Sequence, residues 1–167
     1  MGTVILDVQE ILKVDGAKIP VSGEIELSAE LLKSDVTFLE VSFSGELENI
    51  GGVLELRGNV CGKFTVPCAR CMKETMQSFS AMVEETLAKD DAEVSDRDAV
   101  IPFAGTSVDL GMAVWPSIVL TLDTKYLCQP DCKGLCIHCG ADLNENPCDC
   151  KDDDIDPRLA GLADLLQ

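Results

Sequence analysis

Residues 39–71 read LEVSFSGELENIGGVLELRGNVCGKFTVPCARC, and this stretch decides the fold class. Leu39, Val41, Phe43 and Leu47, then Leu54, Leu56, Val60, Phe64 and Val66, recur mostly at period two. That spacing collects apolar side chains on one face of a strand. Ile25 and Leu27 carry the alternation upstream, so β structure is expected from Val21 to Val66, with one face of an antiparallel sheet turned to a core. Gly51-Gly52 and Gly62 supply turn or bulge residues, because glycine reaches positive φ without steric cost. The hairpin ends at Pro67, directly before a cysteine pair.

Downstream, Met76, Phe79, Met82, Val83 and Leu87 sit at helical spacing, while Phe79, Ala81 and Val83 also alternate as a strand would, so periodicity leaves both readings open. Lys89 to Asp98 is almost all charged or small and reads as a solvated loop without chemistry. Asp109 can cap a helix that starts at Leu110 and carries Met112, Ala113, Ile118 and Val119; Pro116 must kink it or delay its start. Asp156-Pro157 opens a short final helix in which Leu159, Leu162 and Leu166 share a face.

A chain of 167 residues, 46% hydrophobic, can bury one ordinary core and is short for two large domains. Thirty acidic against 13 basic side chains leave a formal charge of −17. Direct nucleic-acid binding is disfavoured, because it rests on Lys and Arg displacing phosphate counterions. No apolar run is long enough to span a bilayer, so no membrane is expected. The start M-G-T-V-I-L-D lacks a basic leader, and Leu6 stands where a myristoylation motif wants Ser or Thr. A soluble, cytoplasmic protein is the expectation.

Nine cysteines carry the chemistry. In a reducing compartment they point to metal binding or redox work rather than disulfides. Eight fall into close pairs: Cys68 and Cys71, Cys128 and Cys132, Cys136 and Cys139, Cys148 and Cys150. Each pair is half of a tetrahedral thiolate site, the arrangement of structural Zn2+, and one or two ions are expected. Glycines follow closely, at Gly134 and Gly140, where a metal knuckle needs a permissive backbone. The preferred partition puts Cys136, Cys139, Cys148 and Cys150 on one ion, which closes only a short loop. Cys68, Cys71, Cys128 and Cys132 then share another, clamping the β body to the tail. A rival groups Cys128, Cys132, Cys136 and Cys139, leaving Cys68 and Cys71 with Cys148 and Cys150; spacing alone leaves both open. Four thiolates leave no coordination position for water, so such sites are structural and not catalytic. Cys61 is off the apolar alternation and reads as incidental.

Cys136-Ile137-His138-Cys139 has the look of a dithiol redox motif, yet no βαβ pattern flanks it and six cysteines crowd the segment from Cys128 to Cys150. His138 is the single histidine and reads as an exposed knuckle position. Asp152, Asp153 and Asp154 read as a solvated approach to the last helix rather than a hard-cation site. With no Gly-rich phosphate loop and no catalytic residue set, the chain is expected not to be an enzyme.

The segments VPCARC at 66–71, DL at 109–110, CQPDCKGLCIHCGADLN at 128–144 and DPRLA at 156–160 together resemble the YceD family, in order and separation, over roughly residues 20–167. The resemblance implies a bacterial, non-enzymatic factor needed for accumulation of large-subunit (23S) ribosomal RNA, often encoded beside a small zinc-ribbon protein of that subunit. Family members vary at the cysteines, and the pattern favours Cys68 and Cys71 pairing with Cys128 and Cys132. The chain departs from the family pattern at Leu122-Asp123-Thr124, where a leucine-proline step is usual, and at His138, where a small or aliphatic residue is common. The acidic balance suggests a protein partner, a basic large-subunit ribosomal protein or a pre-ribosomal particle, with Glu24, Glu26, Glu46 and Glu48 as surface acids that such a partner could meet. An adaptor in regulation unrelated to ribosomes and a dithiol oxidoreductase are the competing readings.

The expected fold is α+β: an antiparallel β-rich core with a central helix and an acidic loop near residues 89–98 over residues 1–127, a Cys-rich zinc-binding appendage over 128–155, and a short C-terminal helix over 156–167.

Overall fold

At the tip of the central hairpin Gly51 and Gly52 take φ of 62° and 90°. Two consecutive positive values make the kind of two-residue turn whose twist matches that of the strands it joins. The computed structural model describes residues 4–27, 36–90, 92, 96 and 98–150. Among the described residues its elements are β1 (Ile5–Asp7), β2 (Lys18–Glu24), β3 (Thr37–Ile50), β4 (Val53–Pro67), β5 (Glu74–Lys89), β6 (Ile101–Phe103), β7 (Ser107–Asp109) and α1 (Leu110–Thr121), with a 3-10 turn at Ile11–Lys13. A five-stranded sheet runs β2-β3-β4-β5-β6, and β1 pairs with β7 in a separate two-stranded ladder. All pairings are antiparallel except that of β5 with β6, which is parallel.

The register puts the period-two residues in rows. Phe43, Val60 and Ala81 face one another across three strands, as do Asn49, Leu54 and Leu87, and all are buried. This face is covered by α1 and by the chain before β2, where Val8 and Ile11 are buried. Asn49 is buried and polar yet fully partnered: its Nδ2 donates to the carbonyls of Ile11 and Val14 at 2.9 and 3.0 Å, and its Oδ1 accepts from Gly52 N–H at 2.9 Å. Such satisfaction removes the cost of burying an amide.

Several sequence expectations are settled or changed here. Residues 76–87 are strand throughout, as part of β5, so Met76 and Met82 point to solvent while Phe79, Ala81, Val83 and Leu87 are buried. Leu39 does not join the core: the register shifts between Phe38 and Val41, and this β-bulge moves the inward phase from Leu39, 50% exposed, to Phe38, which packs on the core. Gly62 is not itself a turn; it lies within β4 and pairs with Val41 at the edge of that bulge. Pro116 does not delay α1, which starts at Leu110 with the Asp109 side chain accepting from Met112 N–H at 3.2 Å. Lys89, expected in the acidic loop, belongs to β5. The helix expected after Asp156, and Asp152 to Asp154, lie outside the described residues.

Gly45 and Gly58 pair across β3 and β4 with the Phe43 ring lying over them. A Cβ on Gly58 would sit 2.5 Å from the Ser44 carbonyl oxygen and 2.7 Å from Phe43 Cζ, distances that backbone and a buried ring cannot yield cheaply. Gly58→Ala is expected to lower unfolding free energy by about 1–3 kcal/mol, read as a drop in urea midpoint; an unchanged midpoint would show that the strands can part at this row.

Candidate metal centre

Directly after Pro67 the chain turns back on itself. Cys68 N–H bonds the Lys73 carbonyl at 2.8 Å and Met72 N–H bonds the Cys68 carbonyl at 3.0 Å. Met72 takes φ 60°, a left-handed conformation uncommon outside glycine, which lets the short loop close into β5. Within the loop Arg70 N–H points at Cys68 Sγ at 3.5 Å, the knuckle arrangement in which a backbone donor supports a thiolate.

The second pair arrives from the segment after α1. Tyr126 stacks edge-on to Phe64, with centroids 5.3 Å apart, and its carbonyl accepts Ala69 N–H at 2.8 Å. Those two contacts bring Cys128 and Cys132 to the hairpin loop. Arg70 then joins the two sides: its guanidinium donates to the Cys132 carbonyl at 2.7 Å, and its own carbonyl accepts Leu135 N–H at 3.1 Å. Gly134 has φ 80°, and any Cβ there would meet the Arg70 carbonyl at 3.0 Å.

The sulfurs of Cys68, Cys71, Cys128 and Cys132 all lie within 4.8 Å of one another. Cys68 to Cys132 is 3.8 Å and Cys71 to Cys128 is 3.6 Å. Four sulfurs at about 2.3 Å from a common ion stand about 3.8 Å apart at the edges of the tetrahedron, so the donor set fits a zinc-sized ion. Cys68, Cys71 and Cys132 are buried, with Leu127 packed against them.

A second group forms beside it from Cys136, Cys139, Cys148 and Cys150, again with all sulfurs within 4.8 Å. Its scaffold is local: Cys136 N–H bonds the Ala141 carbonyl at 2.8 Å, Gly140 N–H bonds the Cys136 carbonyl at 2.9 Å, and Leu135 bridges to Asp142. Cys139 and Cys150 are exposed. The sulfurs therefore gather in the grouping that keeps the second loop short, not in the rival one. Among the described residues these two groups are where three or more potential ligands converge.

Asn144 ties the two groups together. Its Nδ2 donates to Cys132 Sγ at 3.5 Å and to Asp142 Oδ1 at 2.6 Å, while its Oδ1 accepts Lys133 N–H at 2.8 Å. Arg70, Asp142 and Asn144 were not singled out from the sequence, although all three lie inside the motif segments; spacing arguments track the sulfurs and overlook the residues that aim them. His138 is exposed and forms no part of either sulfur group. Cys61 stays apart on the outer face of β4, 3.5 Å from Ser42 Oγ. Glu46 and Glu48 flank Lys18 at 3.6 and 2.8 Å, so part of their charge is already answered, and Glu24 and Glu26 are exposed.

Within each group one thiol ionises readily and another resists. The Arg70 N–H holds Cys68 down to about 6, and the N–H groups of Cys139 and His138 hold Cys136 down to about 6. Burial and neighbouring thiols push Cys128 up to about 12; for Cys150 the neighbouring Cys139 thiol leads and burial follows, also to about 12. The first thiolate of each set is prepared by backbone dipoles, while the last proton leaves only for an incoming cation.

The family described as large ribosomal RNA subunit accumulation protein YceD matches residues 56–166, so the chain belongs to the YceD family. A Mycobacterium tuberculosis protein of uncharacterised role is 28% identical over 123 residues, covering 72% of this chain and 59% of its own. A chloroplastic protein of Zea mays named large ribosomal RNA subunit accumulation protein YCED homolog 1 is 28% identical over 131 residues, covering 60% of this chain and 45% of its own. Its Arabidopsis thaliana counterpart is 27% identical over 143 residues, covering 68% and 44%. The chain thus spans about half the length of the curated relatives it matches. No solved structure matches.

Because metal binding must displace protons from Cys128 and Cys150, zinc affinity is expected to rise with pH and to fall as pH drops through about 6, where Cys68 and Cys136 also protonate. Competition with a chromophoric chelator across pH 5 to 8 reads this directly. Equal affinity at both ends would mean that the thiols are not the ligands.

Proposed function

We propose that this protein is a non-enzymatic accessory factor of ribosome biogenesis that promotes accumulation of large-subunit (23S) ribosomal RNA in the cytoplasm. It acts by holding a basic ribosomal protein or assembly intermediate. Structural Zn2+ ions on Cys68, Cys71, Cys128 and Cys132, and on Cys136, Cys139, Cys148 and Cys150, brace its Cys-rich end. Zinc there supplies cohesion and no open coordination position, since sulfur fills all four.

The observation that carries this reading is the family match over residues 56–166. Charge supports the choice of partner: a chain at −17 repels RNA phosphate and attracts a basic protein, whose association it would also accelerate. The thiol pair Cys136 and Cys139 shares its sulfur group with Cys148 and Cys150, which supports a structural over a redox role for it.

Deleting the gene in its host should lower the ratio of mature large-subunit to small-subunit rRNA, and an intact copy supplied in trans should restore it. An unchanged ratio after deletion would remove the ribosomal role and leave the adaptor reading in its place.

A further inference from the structure

Helix α1 breaks the pattern expected of a helix on a protein surface. A helix that covers a sheet with one face normally offers charged residues on the other. From Leu110 to Leu122 this chain has no charged side chain at all. Leu110, Ala113, Val114 and Ile118 are buried against the sheet. On the opposite side Met112, Pro116, Val119 and Leu120 follow one another at i, i+4, i+7 and i+8, the spacing of a single stripe. Met112 is 50%, Val119 38% and Leu120 87% exposed. Pro116 also lacks the N–H that would bond the Met112 carbonyl, so this stripe carries a backbone acceptor without its helical donor.

The frame around the stripe is acidic. Asp109 caps one end and Asp123 follows the other, while Glu85 on β5 accepts from Ser117 Oγ at 2.7 Å on the sheet side of the helix. Across residues 98–127 Lys125 is the one basic side chain.

We propose that the outer stripe of α1 is a docking surface for an amphipathic segment of a protein partner, a segment with an apolar face and basic flanks. An apolar stripe inside an acidic frame matches such a segment as calmodulin-like grooves match theirs, by anchors for affinity and opposite charge for orientation. A second copy of the chain fits badly: two molecules at −17 repel. The proposal rests on the ribosomal reading for the partner's biological identity, but the surface can be tested apart from it.

Trp115, the chain's single tryptophan, sits on this helix against Phe38 with centroids 6.1 Å apart and reports on the surface by its emission. The full chain is titrated at physiological salt with a Leu/Lys amphipathic helical peptide and with its Leu/Glu counterpart. The Lys peptide should bind and shift Trp115 emission, and the Glu peptide should not. Leu120→Glu, at a position too exposed to threaten folding, is the decisive variant. It adds a negative charge, so attraction by charge alone would tighten or keep binding, whereas docking on the stripe predicts binding weakened about tenfold or more. Met112→Gln repeats the test without a charge change. Binding unaffected by either variant overturns the proposal. So does a dimer of the free chain abolished by Leu120→Glu, or a melting temperature lowered by Leu120→Glu in the absence of peptide, the sign of a stripe already covered by the chain itself. In the deletion host, a Leu120→Glu copy that fully restores the rRNA ratio would overturn the docking role while leaving the ribosomal function standing.

Discussion

Four sulfurs, from Cys68, Cys71, Cys128 and Cys132, meet where the β4–β5 hairpin turns and the segment after α1 passes it. The paired contacts bridge 64 and 57 residues of chain, so the junction converts two distant pieces of sequence into one rigid end. Bringing four thiols together is costly without a cation, because each ionised sulfur opposes the next and burial opposes them all. With a divalent ion the sign reverses and the same proximity becomes binding energy that appears as folding energy. Much else hangs on this junction. Tyr126 seats on Phe64, Arg70 links the two sides, and the second sulfur group is held against the first by Asn144.

Much of this architecture was legible in the residues. The alternation from Val41 to Phe64 locates the buried face, and the glycine pair at 51–52 locates the turn that registers it. The bulge at Leu39 was not legible, because an inserted residue reverses the phase of everything beyond it and leaves Phe38, not Leu39, inside. Residues 76–87 satisfied both periodicities; pairing with β4 along its whole length settled them as strand, an instance of tertiary context overriding a local pattern. Pro116 is accommodated inside α1 on the side away from the sheet, one turn after the half-exposed Met112 whose carbonyl loses its helical donor.

For the cysteines, spacing picked out the eight whose sulfurs converge, and loop length favoured the grouping in which they gather. What spacing could not reveal is the shell that aims them. Arg70 works through a backbone N–H, a carbonyl and a guanidinium at once, and Asn144 through an amide shared between Cys132, Asp142 and Lys133. Neither role has a periodic signature. The same limit applies to charge: a net −17 suggests the sign of a partner, but only the fold shows that an uncharged stripe on α1 lies within that field.

On the proposed function, two ions, each held by sulfur alone, organise the Cys-rich end. X-ray absorption at the zinc edge, combined with metal content of protein purified without added metal, tests it most directly. Two zinc ions per chain are expected, each with a shell of four sulfurs at about 2.3 Å, falling to one when Cys132 is replaced by Ser. A shell containing nitrogen or oxygen in the intact chain, or protein that folds and functions with no metal, would contradict it.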